Sequence, residues 1–221
     1  MRAEAFPSDT SSVVDTVVFD LGNVLIAWDP RNLYRTMFDD VQRMEWFLAE
    51  VCPPSWNAQQ DAGRTWDEAI AEAVSRHPAY EPEIRAYRER WSEMIPGAIE
   101  GTVQILKALH ASDVPLHALT NWSAETFVEA RERFDFLKLF RTIVVSGEER
   151  MIKPHPGIYQ RLFETAGLDP MRCVFIDDSE LNVKAARTLG MKAIHFRDPK
   201  DLAQRLSTLG FINTTVVRPF D

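Results

Sequence analysis

Cysteine is nearly absent from this chain: Cys52 and Cys173 are the two it has. One falls in an expected helical region and the other in an expected buried strand. A disulfide framework is not indicated, and a reducing cytoplasm is the default setting. Apolar runs long enough to span a bilayer are lacking too. Met1 to Asp15 is polar, with Pro7, Ser8, Ser11 and Ser12, and has no apolar stretch of the secretory kind. It reads as a short tail before the first strand. Positive charge is in deficit: 25 Lys and Arg against 33 Asp and Glu give a net charge of −8. With no Lys/Arg cluster, a nucleic-acid partner is not expected. An anionic small molecule remains compatible, because local positive charge and a metal can bind one. Repeats and low-complexity segments are absent as well.

What is present is a globular composition, 45% apolar and 26% charged over 221 residues. That length suits one generous domain, or a core with a smaller insert. Short apolar runs occur at Val17-Val18-Phe19, Leu116 to Leu119, Ile143-Val144-Val145, Val174-Phe175-Ile176 and Ala193 to Phe196, the second and the last each interrupted by one histidine. From Leu116 on they alternate with helical segments. This pattern predicts an α/β fold with a doubly wound parallel sheet covered on both faces. After Asp178, Ser179 is placed to cap a helix whose apolar positions are Leu181, Ala185, Ala186 and Leu189, and Gly190 is placed to end it.

Residues 30–97 break the alternation, and nothing there reads as a strand. Thr65-Trp66-Asp67-Glu68 is a capping box, with Trp66, Ile70, Ala73 and Val74 on one helical face. Ile84, Tyr87, Trp91 and Ile95 form a second stripe. Three or more helices are therefore expected as a cap over 30–97, with 1–29 and 98–221 forming the core. Pro30 and Pro96-Gly97 mark the crossings. Between the cap helices, the stretch from Pro53 to Arg64 is polar and turn-rich. It reads equally as an exposed connection or as a loop facing a substrate.

Four segments carry the chemistry. Asp20 ends the first apolar run, where the carboxyl edge of an open parallel sheet places ligands. A carboxylate there can attack phosphorus, although a turn or helix-cap aspartate has the same look. Thr120 and Asn121 end the second core strand. A hydroxyl and the following backbone N–H suit non-transferring phosphoryl oxygens, and also suit a simple turn. Lys153 precedes Pro154 ahead of a helix, where an ammonium can neutralise charge shared by a carboxylate and a phosphate; most lysines are merely solvated. Asp177 and Asp178 are adjacent carboxylates after a strong apolar strand, and a bound cation removes their repulsion.

In this order the motifs Phe-Asp-Leu-Gly-Asn-Val-Leu, Lys-Pro with Ile158-Tyr159-Gln160, and Ile-Asp-Asp-Ser with Asn182, Ala185, Ala186 and Gly190-Met191 resemble the haloacid dehalogenase superfamily. The resemblance covers nearly the whole chain, and the insert looks like that superfamily's helical cap. The motifs look most like its bacterial sugar-phosphate phosphatases, including the glucose-1-phosphate type. The resemblance implies a Mg²⁺-dependent phosphatase of a small phosphorylated metabolite, acting through an aspartyl-phosphate. It implies Asp20 as nucleophile and Lys153 in catalysis, with Gly22, Asn23, Thr120, Asn121 and Lys153 on the phosphate side. The metal would take Asp20, Asp178, Asp177 and the Gly22 carbonyl. A monomer or a homodimer fits, with no membrane partner.

One position departs from the pattern. Most such phosphatases carry an aspartate two residues after the nucleophile as general acid/base, and this chain has Gly22. A missing acid/base is worth about 10²–10⁴-fold in rate. Slow catalysis, a good leaving group such as a sugar's anomeric oxygen, or a substitute acid are the three ways out. Asp29, the nearest acid in sequence, and His155, close to Lys153, are candidate substitutes, though a turn or helix cap suits the first and a surface loop the second. Gly22 also suits a 2-haloacid dehalogenase, but that reaction has no need of a metal and leaves the acidic pair costly. A weakly active phosphate-binding pseudo-enzyme is a further alternative. In a phospho-accepting receiver domain the acidic pair comes early and the lysine last, the reverse of the order here.

Overall fold

The computed structural model describes residues 13–212; residues 1–12 of the expected N-terminal tail lie outside them. The strands are β1 (Thr16–Phe19), β2 (Ile26–Ala27), β3 (Gly97–Ala98), β4 (Leu116–Thr120), β5 (Thr142–Val145), β6 (Cys173–Asp177) and β7 (Lys192–His195). Five of them form one parallel sheet in the order β5-β4-β1-β6-β7. The chain leaves the central strand β1 toward β4 and β5, then returns to the other side of β1 for β6 and β7. The crevice between the two directions therefore opens at the carboxyl end of β1, where such sheets bind ligands.

Each side of the sheet has its own apolar layer. Val17 and Phe19 of β1 belong to one cluster, with Ile105, Leu106, Leu202 and Leu206. Val18 points the other way, into a cluster with Leu119, Val144, Ile158, Tyr159 and Phe175. A strand buried on both faces is apolar at most positions, which is why these runs are nearly continuous, with buried His117 an exception in β4. Truncating Phe19 to alanine would cost about 3–5 kcal/mol.

Between β2 and β3 lie α1 (Arg31–Tyr34), α2 (Val41–Trp46), α3 (Pro54–Asp61), α4 (Trp66–Arg76) and α5 (Glu81–Glu89), with a π-helical turn, Phe47–Val51, continuing α2. After β3 come α6 (Glu100–Ala111), α7 (Ala124–Arg133), α8 (Ser146–Glu149), α9 (Pro156–Ala166), α10 (Glu180–Thr188) and α11 (Pro199–Thr208). The sequence gives no sign of β2 and β3. They pair antiparallel, Ile26 with Ala98 and Ala27 with Gly97, exactly where the chain enters and leaves the helical insertion. Two residues per strand are too few for a periodic signal.

The capping box forms as read: Thr65 Oγ1 accepts from the Glu68 amide, and Glu68 reaches back to the Thr65 amide. Trp66, Ile70 and Ala73 are buried, as are Ile84, Tyr87, Trp91 and Ile95. The stretch from Pro53 to Arg64 is not a loop. Pro53 and Pro54 start α3, where a missing N–H costs nothing, and Gly63 stops it with a φ of +95°. A Cβ on Gly63 would stand 2.8 Å from Arg150 Cγ and 3.1 Å from the Gly147 carbonyl. The end of α3 is thus seated directly on α8.

Ser179 stands at the N-cap of α10 without a side-chain capping bond, and Asp177 Oδ1 accepts from the Ser179 amide at 2.7 Å. Gly190 follows the helix with a φ of +95°. Cys52 and Cys173 are buried free thiols. Among the described residues no helix is long and apolar enough to cross a membrane.

Candidate active site

Asp20 is the residue after β1. Its amide donates to the Ile176 carbonyl at 2.8 Å, which levels it with Asp177 at the end of β6. Its own Oδ1 accepts from the Leu21 amide at 2.7 Å. Beyond it, Asn23 takes a left-handed conformation with φ 53°. Asn23 Oδ1 accepts from the Trp28 amide at 3.0 Å, closing the loop that leads into the insertion.

Lys153 reaches this corner from the loop before α9. Its Nζ lies 2.8 Å from Asp20 Oδ1 and 2.7 Å from Asp177 Oδ2. It also donates to the Leu119 carbonyl at 2.9 Å. Asp177 is fully buried and heavily used. Besides Lys153 and the Ser179 amide, it accepts from Asn182 Nδ2 at 3.0 Å and 3.1 Å. Asp178 is more open, and one carboxylate oxygen from each of Asp20, Asp177 and Asp178 lies within 4.8 Å of the others.

Three carboxylates and one ammonium leave this cluster with a formal charge of −2. Burial pushes the Asp20 carboxyl above the ordinary range, with Lys153 pulling it down and Asp177 and Asp178 pushing it further up. Burial and the Asp177 charge likewise raise Asp178, against Lys153. Burial works against the Lys153 ammonium, but Asp177 and Asp20 outweigh it and hold its pKa above the usual lysine value. The corner carries more negative charge than its one ammonium balances.

The other sequence-singled residues divide. Asn121 clamps the Lys153 loop: Lys153 N–H donates to Asn121 Oδ1 at 2.8 Å, and Asn121 Nδ2 donates to the Lys153 carbonyl at 3.0 Å. Thr120 ends β4 fully buried, and its hydroxyl has no hydrogen-bond partner among the described residues. Asp20, Gly22, Asn23, Asn121, Lys153 and Asp178 line the cavity wall, and Thr120 adjoins it through its chain neighbour Asn121. His155 and Asp29 lie off that wall. His155 Nδ1 caps α9 by accepting from Gly157 N–H at 3.1 Å. Asp29 Oδ1 accepts from the Arg31 amide at 2.9 Å, at the start of α1.

The cavity encloses about 220 Å³. Its far wall comes from residues that the motifs do not reveal: Trp28, Trp91, Trp122 and Thr126, with Asn57 and Asp61 from α3. Trp91 and Trp122 pack ring on ring with centroids 5.5 Å apart. Burial pushes the Asp61 carboxyl up to about 7, while the Ser123 amide and the Lys153 charge pull it down. The sequence signal for α3 was its pair of prolines followed by Asn, Asp and Gly, which reads as turns. Only the helix direction shows that its last residue lines the same cavity as Asp20.

Chemically, a corner with a buried carboxylate held by an ammonium, excess negative charge and a roofed cavity is suited to transfer of an anionic group with a cation present. Comparison with known proteins agrees on the family. The chain is 32% identical over 120 residues to a flavin mononucleotide hydrolase of Arabidopsis thaliana. That match covers 53% of this chain and 47% of the plant protein, so the chain spans about half the length of that relative. It is 25% identical over 182 residues to a sesquiterpene phosphatase of Aspergillus oryzae, covering 82% of this chain and 89% of that one. A wild-type haloacid dehalogenase (HAD) family enzyme of Bacteroides thetaiotaomicron, solved in complex with magnesium and inorganic phosphate, superposes with a TM-score of 0.63 at 23% identity. It covers 84% of this chain and 95% of that chain, and at this identity it shows the fold. Residues 38–196, from just before α2 to just past β7, match the haloacid dehalogenase-like hydrolase family, a stretch that begins after Asp20. That is more than half of the sequence, and the chain belongs to the haloacid dehalogenase-like hydrolases.

Proposed function

We propose that the chain is a Mg²⁺-dependent phosphatase of a small phosphorylated metabolite, with Asp20 as nucleophile. The observation that carries the proposal is the corner itself: Asp20 beside Lys153, with Asp177 and Asp178 leaving a charge of −2 at the floor of a roofed cavity. A divalent cation neutralises that excess, so the donor set fits Mg²⁺, which is content with one or two carboxylates plus phosphate and water. Asp20, Asp178 and the Gly22 carbonyl would hold it. Asp177 has its oxygens engaged by Lys153, Asn182 and the Ser179 amide, and serves to position Lys153. When bound, the cation offsets phosphate charge and polarises a phosphoryl oxygen.

The protein's own groups do the rest. Asp20 attacks phosphorus in line with the ester oxygen. Lys153 faces the equatorial oxygens as charge moves onto Asp20. The Thr120 hydroxyl, buried and without a partner, gains one in a phosphoryl oxygen. The insertion roofs the cavity and limits water during transfer. The metabolite body fits a sugar: three tryptophan faces stack on a ring, the Trp122 indole N–H, without a partner among the described residues, takes a hydroxyl oxygen, and the Asn23 and Asn57 amides serve others.

The test is phosphate release from a panel of sugar phosphates, nucleotides and an aryl phosphate, with Mg²⁺ and with EDTA. The proposal expects EDTA-sensitive release, strongest on sugar phosphates. Gly22 in place of an acid is the one observation that suits carbon–halogen hydrolysis. Chloride release from a haloacid that persists in EDTA, with no phosphate release from any ester, would replace the phosphatase reading.

A further inference from the structure

Ester hydrolysis through Asp20 needs a proton for the departing alkoxide and a base for the water that frees Asp20. Lys153 and Asp177 are bound up in their own ion pair. Gly22 has no side chain, although a Cβ there would meet nothing within 4 Å, so the space beside the nucleophile stands open. Among the described residues, one carboxylic acid lines the cavity outside the acidic corner, and it is Asp61 at the end of α3.

Asp61 is fastened from both sides of the cavity. Ser146, after β5, donates its hydroxyl to the Asp61 carbonyl at 2.6 Å. That same Ser146 Oγ accepts from the Trp122 amide at 2.9 Å. The Asp61 carboxylate takes the Asn57 amide on Oδ2 at 3.1 Å and a backbone N–H from Ser123. Trp66 on the next helix donates its indole N–H to Ser123 Oγ at 3.0 Å, locking the same seam. An acid held this firmly against the opposite wall is built to face the cavity, and Lys153 acts on it electrostatically.

We propose that Asp61 is the general acid and base of the reaction, delivered from the helical insertion in place of the side chain that Gly22 lacks. The inference rests on the reading of Asp20 as a phosphate-ester nucleophile. In the first half, the Asp20 carboxylate forms a bond to phosphorus and the ester P–O bond breaks. The leaving oxygen takes the Asp61 proton and departs as an alcohol, leaving Asp61 as a carboxylate. In the second half, Asp61 takes a proton from water as the water oxygen bonds to phosphorus. The Asp20–phosphorus bond breaks, inorganic phosphate leaves, and both groups return to their starting states. A carboxyl poised near neutrality can serve both halves.

Lys153 and Tyr87 are the titratable groups that interact with Asp61. On the elements packed against it, Glu72 of α4 is paired with Arg64 and Arg76. Glu149 of α8 is paired with Arg161, and Glu148 is exposed. Glu125 of α7 accepts from the Trp66 amide.

The experiment compares wild type with Asp61→Asn on two probes with Mg²⁺: p-nitrophenyl phosphate, whose leaving group needs no proton, and benzyl phosphate, whose alkoxide does. The variant should lose about 10²–10⁴-fold in kcat on benzyl phosphate. On the aryl ester it should give a burst of nitrophenolate equal to the enzyme, followed by slow turnover, because only the second half still needs the base. That burst also shows that the variant is folded. Wild-type kcat on benzyl phosphate should fall above pH about 7, and the variant should lose that limb. An Asp61→Asn enzyme with unchanged benzyl phosphate turnover, or with both probes slowed equally and no burst, overturns the inference. Should that variant not fold, Asp61→Glu carries the test: the limb shifts with the new carboxyl, and an unmoved limb overturns the inference. Wild type releasing phosphate from neither probe nor from any ester of the panel would instead remove the phosphatase reading beneath it.

Discussion

Asn121 and Lys153 hold each other by a reciprocal pair of hydrogen bonds, one in each direction between a side-chain amide and a backbone. The end of β4 thereby sets the height of the loop that carries the ammonium, and the ammonium sets Asp20 and Asp177. Asn121→Ala removes both bonds at a half-buried site. It should cost about 1–3 kcal/mol in stability and lower kcat/KM by about tenfold to a hundredfold as Lys153 drifts. Chemical denaturation and steady-state kinetics check the two figures. Asn121→Asp, which keeps the acceptor for the Lys153 amide, should fall between.

Thr120 gives the opposite pattern. Its buried hydroxyl has no partner among the described residues, so Thr120→Val removes an unsatisfied group rather than a bond. Stability should stay within about 0.5 kcal/mol of wild type or rise, while kcat/KM falls by roughly tenfold. A stability loss without an activity loss would deny the hydroxyl its place at the phosphate.

The excess charge of the acidic corner predicts a metal effect that needs no substrate. Mg²⁺ should raise the melting temperature of wild type, since a ligand bound to the native state alone stabilises it by mass action. Asp178→Asn should lose most of that shift. Differential scanning calorimetry with Mg²⁺ and with EDTA reads it directly.

Asp61 predicts a pH signature in stability. The folded protein holds its proton up to about 7, against an ordinary value of 3.8 for the unfolded chain. The native state therefore binds more protons between these values, and stability is lost as pH rises from about 4, with the loss complete above about 7. Asp61→Asn removes this titration. The variant's melting temperature relative to wild type should improve from pH about 5 to pH about 8. An unchanged difference would mean that the carboxyl is not held in its buried setting.

Much of this site was legible in the sequence because strands buried on both faces are nearly continuous apolar runs, and β1, β4 and β6 each end at polar residues that the sheet edge gathers. Asp20, Thr120, Asp177 and Asp178 were readable for that reason. The division of labour between Asp177 and Asp178 was not. Adjacent residues leave a strand end in different directions, and the sequence does not show that Asp177 is the one spent on Lys153 and Asn182. Asp61 was hidden more deeply. Its neighbours Pro53, Pro54, Asn57 and Gly63 are turn-formers that here start, tolerate and stop a helix. Its place opposite Asp20 depends on how α3 seats on α8, a tertiary contact without local signal. The ribbon of β2 and β3 escaped because two residues make no period.

The central claim is the covalent role of Asp20. Rapid acid quenching of the enzyme with substrate and Mg²⁺, followed by mass spectrometry of the peptide that contains Asp20, tests it most directly. The account predicts one phosphoryl group on Asp20, absent in EDTA and absent in Asp20→Asn, which should fold and show no turnover. Phosphate release by Asp20→Asn, or turnover by wild type with no phosphoryl group ever found on Asp20, would contradict it.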